Sequence, residues 1–300
     1  MDSEHYITHR IWIWFRALRP FSFPISVLPA LIAMLLTTGE TDWDWIRAIA
    51  VLVLVLSFHS AGNLLNDYFD VNQGIDTRHD DADRPGRFLL EGQITRRGVR
   101  RAIILFLCLG TAAGGYLAWC QGAVILGFMV MAFLALYAYT GPPFHIKYYA
   151  GGEALVFLVF GPLLMTGSAY ALTGIFRYDV LTISLPIGCG ITSILVGNNI
   201  RDMDEDRAAG ITTLPLVIGR YVAQIIYGVC LLLFVGGLAL LAWTDQLPLP
   251  IILAPLALAF HLPVLHSMSR GQRTPDVDAK TARFVSLVLI FVLVTIMLET

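Results

Sequence analysis

The chain has 300 residues, of which 57% are hydrophobic and 14% charged, with a mean hydropathy of +0.71. A soluble domain carries about a quarter charged residues, so this composition excludes an ordinary water-soluble globule. The formal net charge of −2 matters less than how charge is distributed across a membrane, and no nucleic-acid partner is expected.

The N-terminal stretch MDSEHYITHRIWIW mixes charges and aromatics ahead of the first long apolar run, so no cleavable signal peptide is expected. Roughly 20 apolar residues cross a bilayer as a helix. Nine such runs follow in order, at residues 20–39, 46–66, 101–120, 122–140, 151–172, 179–199, 220–243, 248–267 and 282–298. Several contain Pro or Gly, among them Pro24, Pro29, Gly114 and Gly115, which membrane helices tolerate and which permit kinks or close packing. Cys108, Cys120, Cys189 and Cys230 sit singly in or beside apolar segments with no CxxC pair, and read as small buried hydrophobes.

Lys and Arg set the orientation. Eighteen of the twenty fall in the N-terminal segment and the even-numbered loops; only Arg47 and Arg177 lie on the other side. The N-terminus and those loops are therefore expected to be cytoplasmic. The predicted architecture is an all-α polytopic membrane protein, residues 1–300 forming one transmembrane domain.

Polar residues collect where two of the runs end. In NLLNDYFDVNQGID (63–76), Asn63, Asp67 and Asp70 share a helix face by their spacing, and Asp76 follows after Gly74. In GNNIRDMDEDRAAGITTL, Asn198, Asp202 and Asp206 repeat the pattern at the end of the sixth run. Carboxylate and amide oxygens suit a hard divalent cation, and Mg²⁺ is typically held by one or two carboxylates together with substrate phosphates. Lys147, Arg84, Arg87 and Arg201, on the same side, are candidates to neutralise the remaining phosphate charge. The metal would hold an anionic head group at the membrane surface while an apolar tail lies among the helices.

At these residues the chain resembles the UbiA superfamily of intramembrane prenyltransferases. NDYFDVNQGID and RDMDEDRAAG match the two aspartate-rich motifs, and RPFSFP (19–24) is similar to the start of the family's first helix. The wording of NNIRDMDEDRAAGITTL and of YTGPPFHIKYYAGGEALVFLVFGPL (139–163) is similar to the 1,4-dihydroxy-2-naphthoate prenyltransferases and their animal menaquinone-forming relatives. The resemblance implies nine helices around a central cavity and transfer of a prenyl chain from its diphosphate to that acceptor with decarboxylation, using Mg²⁺ or Mn²⁺.

Asp67, Asp70, Asp202 and Asp206 are then expected to be catalytic through the metal, with Asn63 and Asn198 completing its ligands. Lys147, Arg201, Arg87 and Arg84 are expected on the diphosphate. Tyr139, Tyr68, Phe69, His59, Asn66, Asn199 and Asp76 are expected on the substrates, with Tyr148 a further aromatic neighbour. His59 reads first as a hydrogen-bonded core residue and second as a group that orients the acceptor, and Glu153 is an ionisable group at the start of the fifth run. The partners implied are a prenyl diphosphate, the aromatic acceptor and membrane lipid, in a bacterial or archaeal cytoplasmic membrane. The same fold acting on another aromatic or lipid acceptor is the first alternative. A cation-coupled transporter is the rival of another class, though its site would sit near the midplane. A phosphotransferase with a single aspartate run is the last.

Overall fold

The computed structural model describes residues 3–38, 44–75, 87–270, 272 and 274–299, and over these the chain is helical. Asp76 and Arg84 lie outside the described residues. The helices are α1 Ser3–Ala17, α2 Pro24–Leu35, α3 Trp45–Asn72, α4 Arg87–Leu90, α5 Arg96–Gln121, α6 Val124–Thr140 and α7 Gly152–Leu158. They continue with α8 Leu164–Thr173, α9 Tyr178–Arg201, α10 Met203–Ala208, α11 Leu214–Ile218, α12 Arg220–Trp243, α13 Leu258–Ser269 and α14 Val277–Glu299.

Among the described residues seven helices are long and apolar enough to cross a membrane, and eight if the bent first pair counts as one span. The nine-run reading differs at two places for physical reasons. The first run is split by a 55° bend between Thr8–Ser22 and Pro24–Leu35. Arg19 there adopts a left-handed backbone, with Pro20 and Pro24 each opening a new helical segment. The fourth run forms α6, only 17 residues long, or about 25 Å against a hydrocarbon core of about 30 Å.

Two other runs span but are not regular. A π-turn over Val159–Leu163 joins α7 to α8 where Pro162 withholds its N–H. A nine-residue 3₁₀ segment, Leu249–Ala257, precedes α13.

The largest core joins α2, α8, α9, α12, α13 and α14 around Ile183, Ile187, Ile191, Tyr227, Leu231 and Phe234. Of the apolar stretch of α9, 67% is buried, the highest share of any span, which makes it the central helix. Close approach is purchased with small residues. A Cβ on Gly190 would meet the Phe234 ring at 2.7 Å, and one on Gly161 would meet the Ser184 carbonyl oxygen at 2.8 Å. The other two clusters pack α3 against α5, with α2 and α8 on one side and α1 and α4 on the other.

The two ends of the bundle differ. At one end, Arg47 donates to the Leu172 carbonyl at 2.6 Å and Gln121 to the same oxygen at 2.8 Å. Arg47 and Arg177, the two cations at this end, are paired with Asp44 and Asp179 nearby in sequence. The opposite end gathers Arg19, the C-terminus of α3, the 141–151 loop, α10 and the start of α14.

Candidate active site

The first carboxylate pair comes from the last two turns of α3. Asp67 and Asp70 are 7% and 5% exposed, so neither is neutralised by bulk water and each needs a partner. Arg19 donates to Asp67 from the corner between α1 and α2. Asp70 accepts from Lys147 Nζ at 2.9 Å and from the Tyr148 hydroxyl. Lys147 also reaches Asn66 Oδ1 at 3.4 Å. The GPPFHI segment folds as a tight turn in which the Phe144 and His145 amides both bond the Gly141 carbonyl at 3.1 Å. The turn returns Lys147 to the end of α3.

The second set surrounds the end of α9. Equal spacing implies one continuous stripe, but Asp202 ends α9 and begins α10, breaking the helix between Asn198 and Asp206. Arg201 organises what remains. Its Nε and Nη2 clamp Asp202 at 2.7 and 2.8 Å, Nη2 also donates to Asn198 Oδ1 at 2.7 Å, and Nη1 pairs with Asp278 of α14 at 2.5 Å. Asp206 accepts from the Thr213 hydroxyl at 3.1 Å. Burial pushes its carboxyl up to about 6; the Thr213 hydrogen bond opposes this, the Asp202 charge adds to it, and Lys147 and Arg201 oppose it.

Lys147 therefore acts on both clusters, and the backbone ties them together. Ala150 N–H donates to the Thr212 carbonyl at 2.8 Å and Thr212 N–H to the Tyr148 carbonyl at 3.1 Å, an isolated parallel bridge between Tyr149 and Thr212. The loop carrying Lys147 and Tyr148 is thus clipped to the loop that follows Asp206.

The remaining predicted residues fall into three groups. Near the carboxylates, Tyr139 lies within the electrostatic reach of Lys147, Glu153, Asp70 and Arg19. Asn199 is buried and donates to buried Glu153 at 2.8 Å. In the second group, at the α1–α2 corner, the Asn63 amide donates to the Leu18 carbonyl at 3.0 Å and the Ser22 hydroxyl at 3.2 Å. Both His59 ring nitrogens are matched, to Ser22 Oγ at 3.0 Å and Ser26 Oγ at 2.7 Å, with Phe23 and Phe160 edge-on.

The third group lies on the periphery. Tyr68 packs edge-on against Phe69 and beside Trp14 and Phe88, and Phe69 meets Tyr137. Arg87 pairs with Glu91 one turn along its own short segment. Arg19, Thr213 and Asp278 belong to the site and were not anticipated; the one available signal was the Arg-Pro step at the helix corner.

Among the described residues no group of three His, Cys, Asp or Glu side chains stands ready to hold a metal ion. The donors are hard oxygens, but Asp67, Asp70 and Asp202 are each held by one of the chain's own cations.

These features define a polytopic helical membrane protein with two aspartate clusters joined at one end of the bundle. The profile of the UbiA prenyltransferase family matches residues 26–295, and the chain belongs to that family. It is accordingly a prenyltransferase. It is 34% identical over 258 residues to UbiA prenyltransferase domain-containing protein 1 of Danio rerio, covering 80% of this chain and 72% of that protein. To the Homo sapiens protein of the same name it is 31% identical over 274 residues, covering 89% and 78%.

The fold is shared with a UbiA homolog from Archaeoglobus fulgidus bound to GPP and Mg²⁺. The TM-score is 0.67 at 18% identity, over 95% of this chain and 99% of that one. The apo UbiA homolog from Aeropyrum pernix K1 gives 0.67 at 17% identity, over 93% and 96%.

Proposed function

We propose that this prenyltransferase moves a prenyl chain from its diphosphate to an aromatic acceptor, 1,4-dihydroxy-2-naphthoate, with Mg²⁺ at the two aspartate clusters. The observation that carries the donor half of this reading is the Lys147 loop, which pairs with Asp70 of the first cluster and is clipped to the segment that follows Asp206 of the second. The acceptor half is supported by the wording of residues 198–214 and 139–163. The names of the animal relatives state no acceptor.

The donor set fits a hard divalent ion. Asp67, Asp70, Asp202 and Asp206 supply carboxylates, with Asn63 and Asn198 at their flanks, and Mn²⁺ would suit the same oxygens. Bound there, the metal supplies charge neutralisation for a diphosphate leaving group. Lys147 and Arg201 hold the remaining phosphate charge, and Arg19, paired with Asp67, is a further cation of the site. Arg87, at the start of α4, and Arg84 are the further candidates for that charge.

As the C1–O bond breaks, its electron pair leaves with the diphosphate and positive charge develops on the allylic carbon. The Tyr139 ring offers a π-face to that charge, and burial keeps water from competing for it. The ring carbon bearing the carboxylate forms the new bond to C1. The carboxylate then leaves as CO₂, and the pair from that bond restores the aromatic ring.

A second reading keeps the donor and changes the acceptor. A neighbouring structure described as digeranylgeranylglyceryl phosphate synthase shares the fold, with a TM-score of 0.62 at 17% identity, so a glycerol phosphate lipid is the other acceptor to test. The transporter reading gives way to the family assignment.

The protein is an integral membrane protein. On the charge distribution the site opens to the cytoplasmic side, in a bacterial or archaeal membrane or on an internal membrane of a eukaryote. The relatives named are animal and the structural neighbours archaeal, so likeness alone singles out neither host.

The test uses purified protein in nanodiscs with Mg²⁺ and a radiolabelled prenyl diphosphate. Acceptors are 1,4-dihydroxy-2-naphthoate, 4-hydroxybenzoate, homogentisate and a glycerol phosphate lipid, alongside Asp67→Ala and Asp202→Ala. Prenylated, decarboxylated naphthoquinol made by the wild type and by neither variant is the expected result. Transfer only to another acceptor sinks the naphthoate assignment and leaves the donor site standing.

A further inference from the structure

The larger of the cavities described, about 710 Å³, lies on the flank of the bundle between α13 and α14, away from the carboxylates. Its origin is local. The nine residues before α13 wind as a 3₁₀ helix containing Pro255, and Pro263 interrupts α13 itself. Neither segment can lay a regular ridge into the surface of α14. The groove that remains is floored by apolar side chains, among them Leu256, Phe260, Leu287 and Phe291. Phe260 is 87% exposed, a position a membrane helix gives up to lipid.

One end of the groove is polar and basic. Lys280 and Arg283 stand there with Ser267 and Thr274. Lys280 shares its charge with Asp276 at 3.1 Å, whereas Arg283 makes no hydrogen bond or ion pair among the described residues. At the same depth His261 lines the groove although only 3% exposed. Its Nε2 lies 2.6 Å from the Tyr227 hydroxyl, which lies 2.6 Å from Thr281 Oγ1. Its Nδ1 has no hydrogen-bond partner among the described residues. Thr281 Oγ1 donates to the Val277 carbonyl at 2.6 Å and so accepts from Tyr227, which in turn accepts from Nε2–H, leaving His261 Nδ1 as an acceptor.

We propose that this groove binds one anionic phospholipid of the surrounding bilayer. Arg283 and Lys280 hold its phosphate, the Ser267 and Thr274 hydroxyls face its headgroup, and an acyl chain lies along Leu256, Phe260, Leu287 and Phe291. The volume falls within the ~300–1,000 Å³ of ligand pockets. Charge decides the occupant. The basic end selects an anion over a zwitterion, and with no Asp or Glu among the described residues that line it the groove lacks the carboxylate sets a metal-bound diphosphate would need.

The experiment places the full chain in phosphatidylcholine nanodiscs doped with a diazirine-tailed lipid, either phosphatidylglycerol or phosphatidylcholine, and maps the crosslinked peptides after illumination. The phosphatidylglycerol probe is expected to label residues 253–264 and 284–291 several-fold more than the phosphatidylcholine probe. Arg283→Gln should lower that preference about fivefold, the effect of one interfacial cation, while labelling of α5 stays unchanged as the control for folding. Phe260→Trp, which fills the floor without altering charge, should lower labelling by both probes. Equal labelling by the two lipids, unaffected by Arg283→Gln, would mean that the groove merely holds bulk lipid. Displacement of the label by a prenyl diphosphate would assign the groove to substrate instead.

Discussion

Replacing Lys147 with methionine isolates what Asp70 requires. The carboxylate is 5% exposed, and its partners are the Lys147 ammonium at 2.9 Å and the Tyr148 hydroxyl. Removing one partner of a buried ion pair costs about 3–5 kcal/mol. Lys147 is itself 18% exposed and Tyr148 remains, so the loss should fall below that range, at about 2–3 kcal/mol. Unfolding of the purified protein in detergent with a chelator present measures it. Mg²⁺ is then added. If Asp70 takes a divalent ion, the ion replaces the missing ammonium charge and stabilises Lys147→Met more than the wild type, in which lysine must first be displaced. At about a hundredfold its dissociation constant, a ligand contributes about 2.7 kcal/mol, enough to erase the deficit. The Asp70→Asn/Lys147→Met double variant should tolerate the chelator and lose this extra response. Equal Mg²⁺ stabilisation of wild type and Lys147→Met would refute the reasoning and make the pair purely structural.

The Asp206 carboxyl sits above its ordinary value, at about 6, so the metal-free native state holds that proton more tightly than the unfolded chain. Its contribution to stability is full below about pH 4 and is lost as pH rises through 6. Thr213→Val removes the hydrogen bond that restrains the shift, so the upper edge of this window should move to higher pH. Asp206→Asn should abolish the window, and melting temperature against pH in chelator checks both. Glu153→Ala should cost about 1–3 kcal/mol by leaving the buried Asn199 amide unmatched, and Glu153→Gln, which keeps an acceptor oxygen, should recover most of it in the same unfolding assay. Gly190→Ala should destabilise by about 1–3 kcal/mol, since its Cβ would enter the Phe234 ring at 2.7 Å. Unchanged stability there would mean that α9 and α12 can separate freely.

What the sequence makes legible follows from what spacing encodes. A continuous apolar run needs only its length to be recognised, so α5, α9, α12 and α14 lie close to the expected bounds. Where proline intervenes, length predicts a span without its shape, and the 55° corner at Arg19 and the 3₁₀ segment before α13 went unread. Helical spacing likewise places Asn63, Asp67 and Asp70 along α3, but cannot show that Asp202 ends its helix. Pairings across the bundle leave no trace in spacing at all. Arg19 lies 48 residues from Asp67, Lys147 77 from Asp70 and Glu153 46 from Asn199.

Those unread pairings bear directly on how the site is used. Aspartates persist at the ends of α3 and α9 because Arg19, Lys147 and Arg201 offset their charge, and this is also why no metal site stands preformed among the described residues. Under the proposed function, Asp67, Asp70, Asp202 and Asp206 would hold the divalent ion, which would supply charge neutralisation for the diphosphate, and Arg19, Lys147 and Arg201 would carry the rest of the phosphate charge. Charge is exchanged between partners without any group being left bare. Removing a cation should therefore harm the metal-free protein most, and removing an aspartate should harm the loaded one most. That asymmetry is what the Lys147→Met and Asp70→Asn comparison with and without Mg²⁺ measures.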